Sequence, residues 1–174
     1  MLMFRVRMGR SGVARKRPSD DVSTPGAVSS WAEAHAAYGR LPLARDLEAA
    51  IGYARDGFPV TERLAGFIEL AAADLAPHAE TMAIFMPDGK VPRAGTTLTN
   101  PDLARTLEAI GRDGRAGFYE GAVGKELARF AIEKGGFFTE TDLKAQSARW
   151  GEALKGTYRD VTLYETPAPT QGFT

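Results

Sequence analysis

The sequence predicts a mainly α fold with a short C-terminal β-hairpin, and three observations carry that reading. From Ser30 to about Lys134, apolar residues recur at helical spacing, and capping residues, glycines and prolines punctuate each run. Beyond Trp150 the texture changes to "EALKGTYRDVTLYETP", rich in the β-branched and aromatic residues that favour strands. A length of 174 residues suffices for one domain with its own core and is too short for two ordinary ones.

Taken in order, Ser30-Trp31-Ala32-Glu33 fits a capping box, which would start a short helix ending in a left-handed stop at Gly39. Pro42 sits where a helix tolerates proline, and Leu43, Leu47, Ala50, Ile51 and Ala54 follow on one face up to Gly57. Thr61 can cap the next helix, whose Leu64, Phe67, Ile68, Ala71, Ala72 and Leu75 form an apolar face before Pro77. "MPDGKVPRAG", Met86 to Gly95, reads as a loop. Asn100-Pro101 is an N-cap followed by proline at the first helical position, with Leu103, Leu107 and Ile110 on one face. Two short helices are expected near Ala116–Glu120 and Ala122–Lys134, the second stopped by Gly135-Gly136. Thr139 offers a further N-cap, with Glu140 and Asp142 placed where the helix dipole favours acids. The hairpin is expected between about Trp150 and Pro167, turning near Arg159-Asp160. That turn lacks the glycine a two-residue loop prefers.

Composition narrows the function classes. Acidic and basic residues balance at 22 each, so the whole chain has no bias towards nucleic acid or membrane. The absence of cysteine excludes disulfides, thiol catalysis and cysteine-ligated metals. No apolar run approaches the ~18 residues of a membrane span. One asymmetry stands out: residues 1–17 carry Arg5, Arg7, Arg10, Arg15, Lys16 and Arg17 with no acid. A phosphate-gripping arm and a targeting segment are alternatives there, but arginines interrupt any secretory apolar stretch. Residues 1–21 are expected to be a disordered or non-native basic arm, and residues 22–174 the ordered domain.

Candidate chemistry is sparse. His35 falls inside the first helix and His78 follows Pro77, and neither has an i, i+4 partner with zinc-binding spacing. "EGAVGKEL" lacks the first glycine of a phosphate loop, with Tyr119 in its place, and Glu126 stands where Ser or Thr is required. It reads instead as a helix start after Gly121. Asp46, Glu48, Asp102, Glu108 and Asp142 mostly lie opposite the apolar faces as solvated charges, and no pair forms an evident acid/base dyad. Trp31 and Trp150 are expected to be core or interface anchors. No catalytic residue, metal ligand or cofactor site is assigned.

Several segments in series resemble one family. "STPGAVSSWAEAHAAYGRLPLARDLEAAIGYARDGFPVTERLA" (Ser23 to Ala65) is similar to the large-subunit region of gamma-glutamyltransferases. "IFMPDGKVPRAGTTLTNPDLARTLEAIGRDGRAGFYEGAVGKELA" (Ile84 to Ala128), "GGFFTETDL", "LKGTYRD" and "TPAPTQG" continue the likeness in order, over about residues 23–174. The resemblance implies part of an αββα N-terminal nucleophile hydrolase, made as a proenzyme that cleaves itself into large and small subunits. It implies that the small subunit's freed N-terminal threonine, with its own amine as base, attacks a gamma-glutamyl amide such as that of glutathione. Water, an amino acid or a peptide then resolves the acyl-enzyme. Two departures follow from the same likeness. The proline-rich stretch at 166–172 sits well inside the family's large subunit, so the nucleophile is expected downstream, and Thr174 does not match it. The family's Arg-Glu segment for the substrate α-carboxylate has no counterpart, and neither Arg5 nor Arg17 can be given that role. The expectation is a large-subunit fragment, inactive alone. Its implied partners are the rest of the large subunit and the small subunit, with a gamma-glutamyl substrate in the intact enzyme. The alternative is a non-catalytic helical interaction module that binds an acidic partner through residues 1–17.

Overall fold

The structure is a computed structural model that describes residues 24–167. Helix α1 spans Ala27–Tyr38 and α2 Leu43–Asp56. The two-residue strand β1 (Phe58–Pro59) leads to α3 (Glu62–Leu75), α4 (Ala79–Phe85), a 3₁₀ turn at Pro87–Gly89 and β2 (Thr97–Leu98). Then come α5 (Pro101–Asp113), α6 (Arg115–Tyr119), α7 (Ala122–Glu133) and α8 (Glu140–Ala145). Strands β3 (Leu154–Tyr158) and β4 (Val161–Glu165) complete the order. The mainly helical fold with a C-terminal hairpin is therefore as expected.

Helices α2 and α5 form the central pair. Their backbones approach closely at Gly111, where a Cβ would stand 3.0 Å from the Ala44 Cα. Around them Val28, Ala54, Ala104, Leu107, Ile110, Tyr119, Ala128 and Leu143 bury one continuous core, with Leu43, Leu47 and Ile51 packed against it. A second core of Val60, Ile68, Met86 and Leu98 lies under α3 and α4. Residues 58–98 thus leave the α2–α5 pair as an excursion with its own interior. The antiparallel β1–β2 ribbon, Phe58 opposite Leu98 and Pro59 opposite Thr97, closes its neck, and the Asn100 amide donates to the Ala54 carbonyl at 2.7 Å. Gly57 is required there: it takes φ +90, and a Cβ would meet the Thr97 methyl at 2.3 Å.

Three expected caps form. Thr61 accepts from the Leu64 amide at 3.1 Å and Asn100 from the Leu103 amide at 3.0 Å. Thr139 and Asp142 make a reciprocal capping box on α8. The Thr139 backbone amide, then its hydroxyl, holds the Asp142 carboxyl below its ordinary value of 3.8. Because the folded pKa is the depressed one, this stabilisation is complete above the ordinary carboxylate pKa. It is lost as pH falls from about 4 through the folded value. Asp142→Asn should therefore lower the urea midpoint at neutral pH and leave a shallower acid limb. Titrating that midpoint down to about pH 2 checks this.

Several local expectations need correction. The Ser30–Glu33 capping box does not form, because α1 already starts at Ala27 with Gly26 as its N-cap. Ser30 is inside the first turn and its hydroxyl turns back to the Gly26 carbonyl at 3.4 Å. Gly39 is extended, at φ −65 and ψ 138, instead of left-handed. A side chain is excluded there by crowding, since a Cβ would stand 2.5 Å from the His35 carbonyl. Helix α4 and the β1–β2 ribbon were not anticipated: seven and two residues are too few to display a period. Phe67 and Leu103, read as buried-face residues, are 55% and 45% exposed. The expected arm over 1–21, the boundary at Val22 and the end of the proline-rich segment (168–174) lie outside the described residues.

Candidate functional site

The groups weighed as candidate chemistry are engaged with near neighbours. The His35 Nε2 lies 2.8 Å from the Leu41 carbonyl and 3.5 Å from an Asp46 carboxylate oxygen, tying α1 to the start of α2. His78 occupies the N-cap position of α4 without a side-chain capping bond. Glu48 pairs with Arg45, Asp102 with Arg105 and Glu108 with Arg55, all at the surface. Lys125 lies in the first turn of α7, which begins after Gly121 as the helix-start reading requires. Among the described residues no group of three His, Asp or Glu could hold a metal ion. No described helix is long and apolar enough to cross a membrane.

Two arrangements stand out, the first of them without any local sequence signal. The first is built on the α5–α6–α7 corner. Tyr119 is 1% exposed, yet its hydroxyl donates to the Pro25 carbonyl at 2.8 Å and accepts from the Ser29 amide at 3.1 Å. It thereby satisfies backbone groups at the entry to α1, 90 residues or more away in sequence. Over its ring, 5.1 Å away, lies the Arg115 guanidinium. Arg115 donates to the Gln146 carbonyl, at 2.7 Å from Nη2, and to the Lys144 carbonyl, so it caps the end of α8. This corner fixes where the chain enters and where it leaves for the hairpin.

The second is the hairpin. Cross-strand pairs share a face, so the register Leu154↔Glu165, Gly156↔Leu163 and Tyr158↔Val161 gathers Leu154, Tyr158, Val161 and Leu163 on one side. The opposite side holds Lys155↔Tyr164 and Thr157↔Thr162. All ten strand residues are exposed, so an alternating pattern that normally lies on a core lies here on nothing described. Arg159 accepts φ +55 in the two-residue turn, with its guanidinium 5.2 Å over the Tyr158 ring. Trp150, 64% exposed, meets Tyr38 of α1 edge-on at 5.7 Å. Trp31, 43% exposed, is not a core residue either.

Against known proteins, the sequence pattern described as Gamma-glutamyltranspeptidase matches residues 2–174. The chain belongs to the gamma-glutamyltranspeptidase family. The match begins at residue 2 and so includes the basic stretch at the start. Among curated family members, the chain is 34% identical to the Glutathione hydrolase-like YwrD proenzyme of Bacillus subtilis over 169 residues. That is 97% of this chain and 32% of the relative. It is also 34% identical to the Glutathione hydrolase proenzyme of Escherichia coli over 150 residues, 86% of this chain and 26% of that protein. The chain thus spans about a third or less of these gamma-glutamyltranspeptidase relatives. In three dimensions it resembles the crystal structure of Bacillus anthracis transpeptidase enzyme CapD with a TM-score of 0.78 at 32% identity. The likeness covers 90% of this chain and 54% of that one.

Proposed function

We infer that residues 24–167 are the scaffold piece of a gamma-glutamyl-processing enzyme, the part a large subunit contributes to an αββα N-terminal nucleophile hydrolase. The observation that carries this reading is the hairpin, an alternating strand pair whose apolar face has no covering layer among the described residues. Burial of Leu154, Tyr158, Val161 and Leu163 against a further layer would stabilise that hairpin, which as an isolated two-stranded unit is marginal in water. Relatives that carry the name proenzyme support a second polypeptide segment as that layer.

In this reading the helices position and the complementary segment performs the chemistry. A threonine freed at its N-terminus attacks the gamma-glutamyl carbonyl, its own amine taking the hydroxyl proton, and the acyl-enzyme passes to water or an amine. The substrates are gamma-glutamyl amides of the glutathione type, in keeping with the names of the relatives. The contribution of residues 24–167 is to present strands β3 and β4, paired in register with each other, beyond the α8 end that Arg115 caps.

Hydrogen exchange tests the docking step. The chain is mixed with the part of the B. subtilis relative outside the matched segment, and the amides of β3 and β4 are followed. They are expected to exchange rapidly in the chain alone and at least about 100-fold more slowly in the mixture. Leu163→Asp should prevent the change. Unaltered exchange in a mixture that nonetheless associates would overturn the hairpin as the docking element.

A further inference from the structure

The outer face of α3 carries a second uncovered apolar surface, remote in sequence from the hairpin. Leu70 is 82% exposed and Phe67 55% exposed. With 3.6 residues per turn, Arg63, Phe67, Leu70 and Asp74 fall on one stripe along Glu62–Leu75, flanked by Gly66 on one side and Ala71 on the other. The Arg63 guanidinium rests 5.5 Å over the Phe67 ring. Among the described residues neither Arg63 nor Asp74 has an ion-pair partner. Gly66 is also unexplained from within: a Cβ there would meet nothing within 4 Å, although glycine weakens a helix interior.

The order of this stripe is its own complement. A two-fold axis through the point midway between Phe67 and Leu70 sets Phe67 on the second copy's Leu70 and Leu70 on its Phe67. The same axis brings Arg63 to the second copy's Asp74, and Asp74 to its Arg63. The axis leaves each flank on its own side, so Gly66 lies along the same edge as the second copy's Gly66 and keeps that edge free of side-chain bulk. One symmetry operation pairs both charges of each copy and covers the two exposed apolar side chains. Within one helix Arg63 and Asp74 are roughly 16 Å apart along the axis, so the charges cannot pair in the same chain.

We propose that the α3 face is a self-complementary interface through which two copies of this chain pair, helix against antiparallel helix. The surface is small, and the dimer is correspondingly weak, with dissociation in roughly the micromolar range. The proposal is independent of the hairpin's role, because it uses a different face.

Sedimentation equilibrium of the full 174-residue chain tests it, with Leu163→Asp on the hairpin as background control. Expected is a reversible monomer–dimer equilibrium that Leu163→Asp leaves intact and Leu70→Glu abolishes. Arg63→Asp and Asp74→Arg should each weaken pairing about tenfold or more, since each sets like charges opposite one another twice. The double variant should restore it, as only a contact between identical copies can. Leu70→Cys should crosslink on oxidation, since the chain has no other cysteine, and Arg63→Cys should not. A monomer at all loadings would overturn the proposal, as would association indifferent to Leu70→Glu or a double variant as weak as the singles.

Discussion

Tyr119→Ala is expected to be among the most damaging single substitutions, lowering stability by about 4–5 kcal/mol. Two losses combine. Removing a ring that is 1% exposed leaves a cavity among Val28, Ile110 and Ala128. Removing the hydroxyl strips the Pro25 carbonyl and the Ser29 amide of their common partner. Against a total stability of about 5–15 kcal/mol, such a change brings the domain close to unfolding at ambient temperature. Tyr119→Phe separates the terms: it keeps the ring and forfeits only the two hydrogen bonds, costing about 1–3 kcal/mol. Urea unfolding of both variants reads the difference, and a Phe variant as stable as the parent would show that the hydroxyl contacts are idle.

Leu143→Ala should cost about 3–4 kcal/mol. Leu143 is fully buried, at 0% exposed, and is the only buried residue of the six-residue helix α8. A helix that short has no stability of its own and depends on its tertiary anchor. The remaining ties are the Thr139–Asp142 capping box and the Arg115 bonds to the Lys144 and Gln146 carbonyls. Amides of 139–146 should therefore lose protection first, ahead of global unfolding. Uniform loss across the chain would mean that α8 is part of one indivisible core instead of a separately opening unit.

The unequal legibility of these features has a physical origin. Thr61, Asn100 and Thr139 cap helices through bonds spanning three residues, so a local sequence pattern contains the whole interaction. The hairpin was visible for a similar reason: the alternation that makes one face apolar is contained in twelve consecutive residues, 154–165. Tyr119 is the opposite case. Its partners lie 94 and 90 residues away, and nothing in "AGFYEG" distinguishes a core phenol from an exposed one. Arg115 reaches 29 to 31 residues ahead to cap α8, which equally leaves no local trace. Ser30–Glu33 misled because a capping-box pattern also occurs just inside a helix already begun at Ala27, where Tyr119 serves the neighbouring Ser29 amide. Periodicity likewise placed Phe67 on an inward face, whereas Ile68, one residue on, takes the buried position at 4% exposed. The apolar side of the hairpin was legible in its alternation, but its exposure was not, because a strand pattern does not say which layer lies against it.

The most direct measurement of that central claim is release of the anilide from a gamma-glutamyl anilide by the purified 174-residue chain, alone and mixed with the complementary part of the B. subtilis relative. The prediction is no turnover by the chain alone, and turnover in the mixture that is abolished by replacing the N-terminal threonine of the complementary polypeptide. Turnover by the chain alone, removed by substituting one of its own residues, would contradict the account and place the nucleophile within this chain.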